Sequence, residues 1–352
     1  MSDRIPLTLV TGYLGAGKTT LVNALLRDPS AGRIAVIVNE FGDMGLDHDL
    51  IVEATEETVL LASGCLCCTV RGDLVRAMED LLARRASGGL AFERIVIETT
   101  GLADPVPILH TLIAAPGLAS AIRMDGVVAV CDAVNGAATL DRGFESVSQV
   151  AMADVIVVSK VDLAPPAQLR ALEARLAALA PRARRIVAER GRLPVRDLFG
   201  TGAPEENGEI AQALDWIGAR DPLPPLAPPG RGLLAAPRRM RFEPAPARHD
   251  DRIVSVSAVY DAPIDPILLD LWAETLIATR GARILRLKAL IWATGFETPF
   301  VLHGVQHLLD PPVRLKRWTG GDRRSRVVLI ARDVPREALR DSLDLLRLRP
   351  GA

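Results

Sequence analysis

The eight residues Gly12-Tyr13-Leu14-Gly15-Ala16-Gly17-Lys18-Thr19 constrain the fold of this chain more than any other stretch of it. They follow an apolar run at 7–10 and open a helical pattern that continues through Thr20 to Arg27. A strand, a glycine-rich turn and a helix in that order are the context that makes G-x-x-x-x-G-K-T a phosphate-binding loop. Gly12, Gly15 and Gly17 let the backbone curl, so that the N–H groups of the loop face an anion at the positive end of the helix. Lys18 supplies the charge for β and γ phosphates, and Thr19 a hydroxyl for Mg²⁺. Lysine usage argues the same way: the chain has only four lysines among 42 basic residues, so Lys18 stands where arginine is the default.

Short apolar runs at 7–10, 34–38, 95–97, 127–130 and 155–158 alternate with helical patterns. Strands alternating with helices predict an α/β fold, a P-loop doubly wound and mostly parallel sheet covered on both faces. Eight prolines within 221–246 rule out a continuing helix or central strand there. The sequence therefore divides into a P-loop domain at 1–220, a proline-rich linker at 221–248 and a smaller domain at 249–352. In the last of these, strand patterns at 253–258, 283–290, 300–305 and 327–330 and helical patterns at 266–277 and 336–347 predict an α+β unit.

A net charge of -1 gives no argument for nucleic acid or acidic membranes as partners. No apolar stretch reaches the roughly 18 residues of a membrane helix and no signal segment opens the chain, so a cytoplasmic protein is expected. A homodimer is left open.

Two further strand ends carry chemistry. Ser159-Lys160-Val161-Asp162 follows the run at 155–158 and is similar to the N-K-x-D base-reading motif of GTPases. An aspartate at the Asp162 position accepts from both N1–H and the 2-amino group of guanine, which adenine cannot match, while the Lys160 stem lies along the base. Ser159 departs from the usual asparagine and is expected to lose part of a hydrogen-bond tether. Glu98-Thr99-Thr100-Gly101 ends the run at 95–97, where P-loop enzymes carry an acidic residue near Mg²⁺ and then a glycine. Glu98 would hold the Mg²⁺ shell or orient the attacking water.

Cys65, Cys67 and Cys68 lie within four residues between the phosphate loop and Glu98. Thiols this close offer two or three thiolates to one soft or borderline cation. Glu40 is the first candidate for a further ligand, with Asp43 or water as substitutes, and a vicinal-disulfide redox switch is the competing reading. His303 and His307 would share one side of a helix, but 300–305 reads equally as a strand. Trp272, Trp292 and Trp318 read as core or partner surface, not as a base-stacking platform, because no basic groove accompanies them.

The combination of Gly-Tyr-Leu-Gly-Ala-Gly-Lys-Thr-Thr, Asn-Glu-Phe-Gly, Cys-Leu-Cys-Cys, Glu-Thr-Thr-Gly-Leu-Ala-Asp-Pro and Ser-Lys-Val-Asp resembles the CobW-type family of metallochaperone GTPases. The stretches 286–292 and 303–307 resemble that family's C-terminal domain, so the likeness spans nearly the whole chain. The resemblance implies a Ras-like P-loop domain followed by a CobW C-terminal domain. It implies Zn²⁺, Co²⁺ or another divalent transition metal on the cysteine motif when Mg-GTP is present, and hydrolysis accompanying release to a client metalloprotein. It also places the backbone of Cys68, Thr69, Val70, Arg71 and Gly72 near the nucleotide. Many relatives carry a histidine-rich run before the C-terminal domain; here only His249 stands there, which argues against a metal store. Two other classes fit parts of the pattern: a GTP-regulated partner-binding switch with a structural zinc, and a P-loop small-molecule kinase or ATPase.

Overall fold

The computed structural model describes residues 4–39, 59–63, 70–188, 193–218, 252–319 and 321–348. Glu40, Cys65, Cys67, Cys68, Thr69 and the linker at 221–248 lie outside the described residues.

The first unit runs β1 (Ile5–Gly12), α1 (Lys18–Leu26), β2 (Ile34–Asn39), β3 (Val59–Ser63), α2 (Val70–Ala86), β4 (Arg94–Glu98), α3 (Pro105–Ala114), α4 (Pro116–Ala121) and β5 (Ile122–Asp132). It continues with α5 (Gly136–Arg142), α6 (Phe144–Ala151), β6 (Val155–Ser159), α7 (Pro166–Leu179), β7 (Arg184–Val187) and α8 (Ile210–Trp216). The strands form one seven-stranded sheet in the order β3-β2-β4-β1-β5-β6-β7, and every pairing is parallel. Continuous apolar runs are what such a sheet demands, because successive side chains enter different cores. Leu7, Leu9, Ile95 and Ile97 pack on one face, and Val10, Val96, Val128 and Val157 on the other. The edge strand β7 carried no apolar run to announce it; its Arg184 and Arg185 are exposed, which blunts the open edge. No helix among the described residues is long and apolar enough to cross a membrane.

The second unit runs β8 (Ile253–Tyr260), α9 (Pro266–Arg280), β9 (Ile284–Ile291), β10 (Phe300–Val305), β11 (Leu308–Leu309), β12 (Val313–Arg314), β13 (Ser325–Arg332) and α10 (Arg336–Asp344). Its antiparallel sheet has the order β11-β10-β9-β13-β8, with β12 paired to β10. The same start signal opens α3 and α9. An aspartate side chain accepts from the first turn and proline stands at the first helical position, Asp104 with Pro105 and Asp265 with Pro266. Trp272, Leu276, Leu339 and Leu343 from α9 and α10 pack against one face of the sheet.

The other face meets the first unit. Trp216 and Ile217 share a cluster with Leu290, Val301 and Val328, while Ile253, Leu285 and Val305 join the core around Leu7 and Ile95. A buried charge group fastens this interface. Arg286 donates to Met152 O at 2.6 Å and to Asp154 Oδ2 at 2.9 Å, and Lys288 donates to Asp154 Oδ1 and to Trp216 O. Asp154 Oδ2 also accepts from Val127 N at 2.9 Å. Burial works to raise the Asp154 carboxyl, but Arg286 and Lys288 outweigh it and bring the pKa down to about 2. Burial and the neighbouring Arg286 push the Lys288 ammonium down to about 8 against the pull of Asp154.

Candidate functional site

The site is built on the carboxyl ends of β1, β4, β5 and β6, where doubly wound sheets hold ligands. The loop after β1 depends on glycine at Gly12, where φ is +141° and a Cβ would stand 2.3 Å from Val130 O. Gly17, at φ +100°, caps α1. Lys18 is buried and donates from Nζ to Tyr13 O at 3.1 Å, so the ammonium lies over the loop that a phosphate would fill.

Thr19 Oγ1 donates to Glu98 Oε1 at 2.6 Å, joining the start of α1 to the end of β4. Glu98 is only 4% exposed, so its carboxylate is held among protein groups and not in bulk water. A hydroxyl and a carboxylate in contact at a phosphate loop are hard oxygen donors of the kind Mg²⁺ takes. The following segment presses on the loop: a Cβ on Gly101 would stand 2.4 Å from Leu14 N, and Thr99 donates from Oγ1 to Thr11 Oγ1 at 3.0 Å. Gln149 Nε2 holds the same segment by donating to the carbonyls of Gly101 and Ala103 at 3.2 and 2.9 Å.

At the end of β6, Ser159 Oγ donates to Ala16 O at 2.6 Å. This bond ties β6 to the phosphate loop from a side chain shorter than asparagine. Lys160 takes φ +54° and its Nζ donates to Gly15 O at 2.7 Å and Asp132 Oδ2 at 2.8 Å, placing its stem across the mouth of the site. Asp162 is exposed on the turn Val161–Leu163, with its carboxylate open to a ligand. Asp132 and Asn135 were missed by the sequence reading. Burial works to raise the Asp132 carboxyl, but hydrogen bonds from Lys160, Asn135 and the backbone of Val134 and Asn135 outweigh it and hold the group below the ordinary range. The signal available was its place at the end of an apolar run on the neighbouring strand.

Of the expected metal ligands, Glu40, Cys65, Cys67 and Cys68 lie outside the described residues, as does Thr69. Val70, Arg71 and Gly72 form the start of α2. Among the described residues no group of three or more histidine, cysteine or carboxylate side chains converges as a metal site. Cys131, at the end of β5, is buried, and burial first and Asp132 second push its thiol up to about 12, which makes it inert. The helical alternative for His303 and His307 is corrected: 300–305 is a strand and His307 follows in the turn. The alternation of β10 and the turn after it send the two rings apart. His303 is buried beside Asp310 Oδ2 at 3.2 Å, whereas His307 is exposed and meets His110. Trp272 and Trp292 are core residues and Trp318 packs edge-on against Trp292. A large surface groove lined by Arg4, Arg85, Glu93, Arg123 and Lys316 sits at the amino ends of β1, β4 and β5, away from this chemistry.

Residues 6–187 match the family model described as CobW/HypB/UreG, nucleotide-binding domain, and residues 253–347 match the Cobalamin synthesis protein cobW C-terminal domain. The zinc chaperone YjiA of Escherichia coli (strain K12) is 31% identical over 343 residues, covering 97% of this chain and 99% of that protein. The zinc chaperone CobW of Pseudomonas aeruginosa is 36% identical over 237 residues, covering 58% of this chain and 61% of that protein. A crystal structure of Zn(II)-bound YjiA GTPase from E. coli superposes with a TM-score of 0.69 at 28% identity, covering 98% of this chain and all of that one.

Proposed function

The chain belongs to the CobW family of P-loop GTPases, and from that premise we propose that it is a metallochaperone that couples its nucleotide state to a transferred divalent metal. The observation that carries the reading is the convergence of Lys18, Thr19, Glu98 and Lys160 at the carboxyl end of the sheet, where Thr19 meets Glu98 at 2.6 Å and Lys18 and Lys160 bond the loop carbonyls of Tyr13 and Gly15 at 3.1 and 2.7 Å. Gly12, Tyr13, Leu14, Gly15, Ala16 and Gly17 form the cradle, Lys18 neutralises the β and γ phosphates, and Thr19 and Glu98 hold Mg²⁺. Thr20, the third residue of α1, adds its N–H to the phosphate end of the helix. Bound Mg²⁺ would spread the charge that builds on the phosphates during hydrolysis. Ser159 fixes the loop to β6, Lys160 lies along the base, and Asp162 reads guanine.

The cargo is Zn²⁺ or a similar ion, held by Cys65, Cys67 and Cys68 with Glu40 and handed to a client metalloprotein. That YjiA, matched over 99% of its length, is a zinc chaperone supports this choice of cargo. Residues 39–68 lie in sequence between two elements of the nucleotide site, the loop before α1 and Glu98, and the coupling follows if they adopt the ligand geometry only with Mg-GTP bound. Metal and GTP then raise each other's affinity by the same factor, typically about 5- to 150-fold.

Zn²⁺ or Co²⁺ titrations in Mg-GDP and in a non-hydrolysable Mg-GTP analogue test the coupling, with thiolate charge-transfer absorption of Co²⁺ as the readout. Tighter binding with the analogue, lost in Cys67→Ser, is expected. Equal affinity in both nucleotide states would instead mark a switch with a structural zinc.

A further inference from the structure

We propose that His110 and His307 form a second site for a divalent transition metal, separate from the cysteine motif, that fastens the C-terminal domain to α3. The two Nε2 atoms stand 3.2 Å apart in a hydrogen bond between the rings, whose shared proton an ion would displace, with ring planes tilted by 54°. Two nitrogens on a tetrahedral ion at 2.0–2.1 Å stand about 3.3 Å apart, so the pair already has the bite that Zn²⁺ takes. Imidazole nitrogen suits Zn²⁺, Cu²⁺ and Ni²⁺ alike.

Both rings are presented by stiff elements. His110 is buried on α3, the helix that Asp104 caps directly after the Gly101 segment packed on the phosphate loop. His307 lies in the two-residue turn between β10 and β11, where Gln306 takes φ +55°. Its Cβ is in close contact with Gly281, where a Cβ would come within 3.1 Å. A pair held from a helix and a tight hairpin needs little rearrangement to bind, and the exposure of His307 gives an ion a path from solvent.

His303 on the same hairpin lies beside a carboxylate, Asp310. His110 and His307 meet nitrogen to nitrogen across a domain boundary, 197 residues apart in sequence. With two ligands from the described residues, the ion keeps open positions for water or for a ligand from a partner.

The test uses the full chain with Cys65, Cys67 and Cys68 all replaced by serine, so that the thiolate site is silent. Equilibrium dialysis with Zn²⁺ is expected to find one equivalent bound. That equivalent should weaken by about tenfold or more in His307→Ala and in His110→Gln. Cu²⁺ should show imidazole nitrogen coupling in its electron paramagnetic resonance, lost in the same variants, and added Zn²⁺ should slow amide exchange in α3 and in the β10–β11 turn. Should the serine variant fail to fold, the wild-type stoichiometry answers instead: two equivalents falling to one in His307→Ala, with the Co²⁺ thiolate band unchanged. Binding untouched by both histidine substitutions, or no second equivalent, overturns the proposal and leaves the cysteine-site reading standing.

Discussion

Replacing Asp154 by alanine removes the carboxylate on which two buried cations of the other domain converge. Arg286 is 5% exposed and Lys288 12% exposed; in Asp154→Ala Arg286 keeps its charge without the anion that balances it, and the Lys288 pKa, about 8 with Asp154 in place, falls further. Breaking a buried ion pair from one side costs about 3–5 kcal/mol, because the surviving charge stays desolvated. The depressed carboxyl is an independent gauge: a displacement from 3.8 to about 2 corresponds to about 2 kcal/mol. Because the folded-state pKa lies below the unfolded one, that contribution is fully present above about pH 4 and is lost as pH falls toward 2. The partner substitution should behave differently. In Lys288→Met, Asp154 keeps Arg286 and the Val127 N–H, and an ammonium whose pKa burial has pushed down to about 8 is removed. We expect Lys288→Met to lie within about 1 kcal/mol of the parent and Asp154→Ala to lose about 3 kcal/mol or more. Urea unfolding followed by circular dichroism, at pH 7 and at pH 3, measures both. The reasoning is refuted if Asp154→Ala unfolds with the parent, or if Lys288→Met is as costly as Asp154→Ala.

Lys18→Ala should lower GTP turnover by about 100-fold or more with the fold retained, since it removes a charge aimed at the phosphates; undiminished turnover in a folded variant would remove Lys18 from the site. Asp162→Asn should shift preference from GTP toward xanthosine triphosphate, whose ring presents an acceptor where guanine presents a donor, and competition between the two nucleotides reads this directly. Gly101→Ala places a methyl 2.4 Å from Leu14 N, so the loop must move, and nucleotide affinity should fall by about tenfold, with a stability loss of about 1–3 kcal/mol from the overpacking. Calorimetric titration with a GTP analogue decides it, and unchanged affinity would mean that the loop yields freely.

The parts of this protein that the sequence determines by itself are those whose chemistry is complete within a few consecutive residues. The glycines, lysine and threonine of 12–19 carry both the turn and its ligand, and Asp-Pro pairs at 104–105 and 265–266 carry both the cap and the first helical φ. Apolar runs bounded by helical patterns fix the parallel sheet, because only strands buried on both faces can be apolar throughout. Asp132, Arg286, Lys288, His110 and His307 give no such local sign, since each is one polar residue in an otherwise ordinary strand, helix or turn. Their meaning comes from partners far along the chain, Asp154 lying 132 residues from Arg286 and His110 lying 197 from His307. Strand order decides that Asp132 stands beside Lys160, and the alternation of β9 decides that Arg286 and Lys288 both face the first domain. Which polar groups are buried together, and therefore which charges are displaced and which nitrogens converge, is settled only when the two sheets pack.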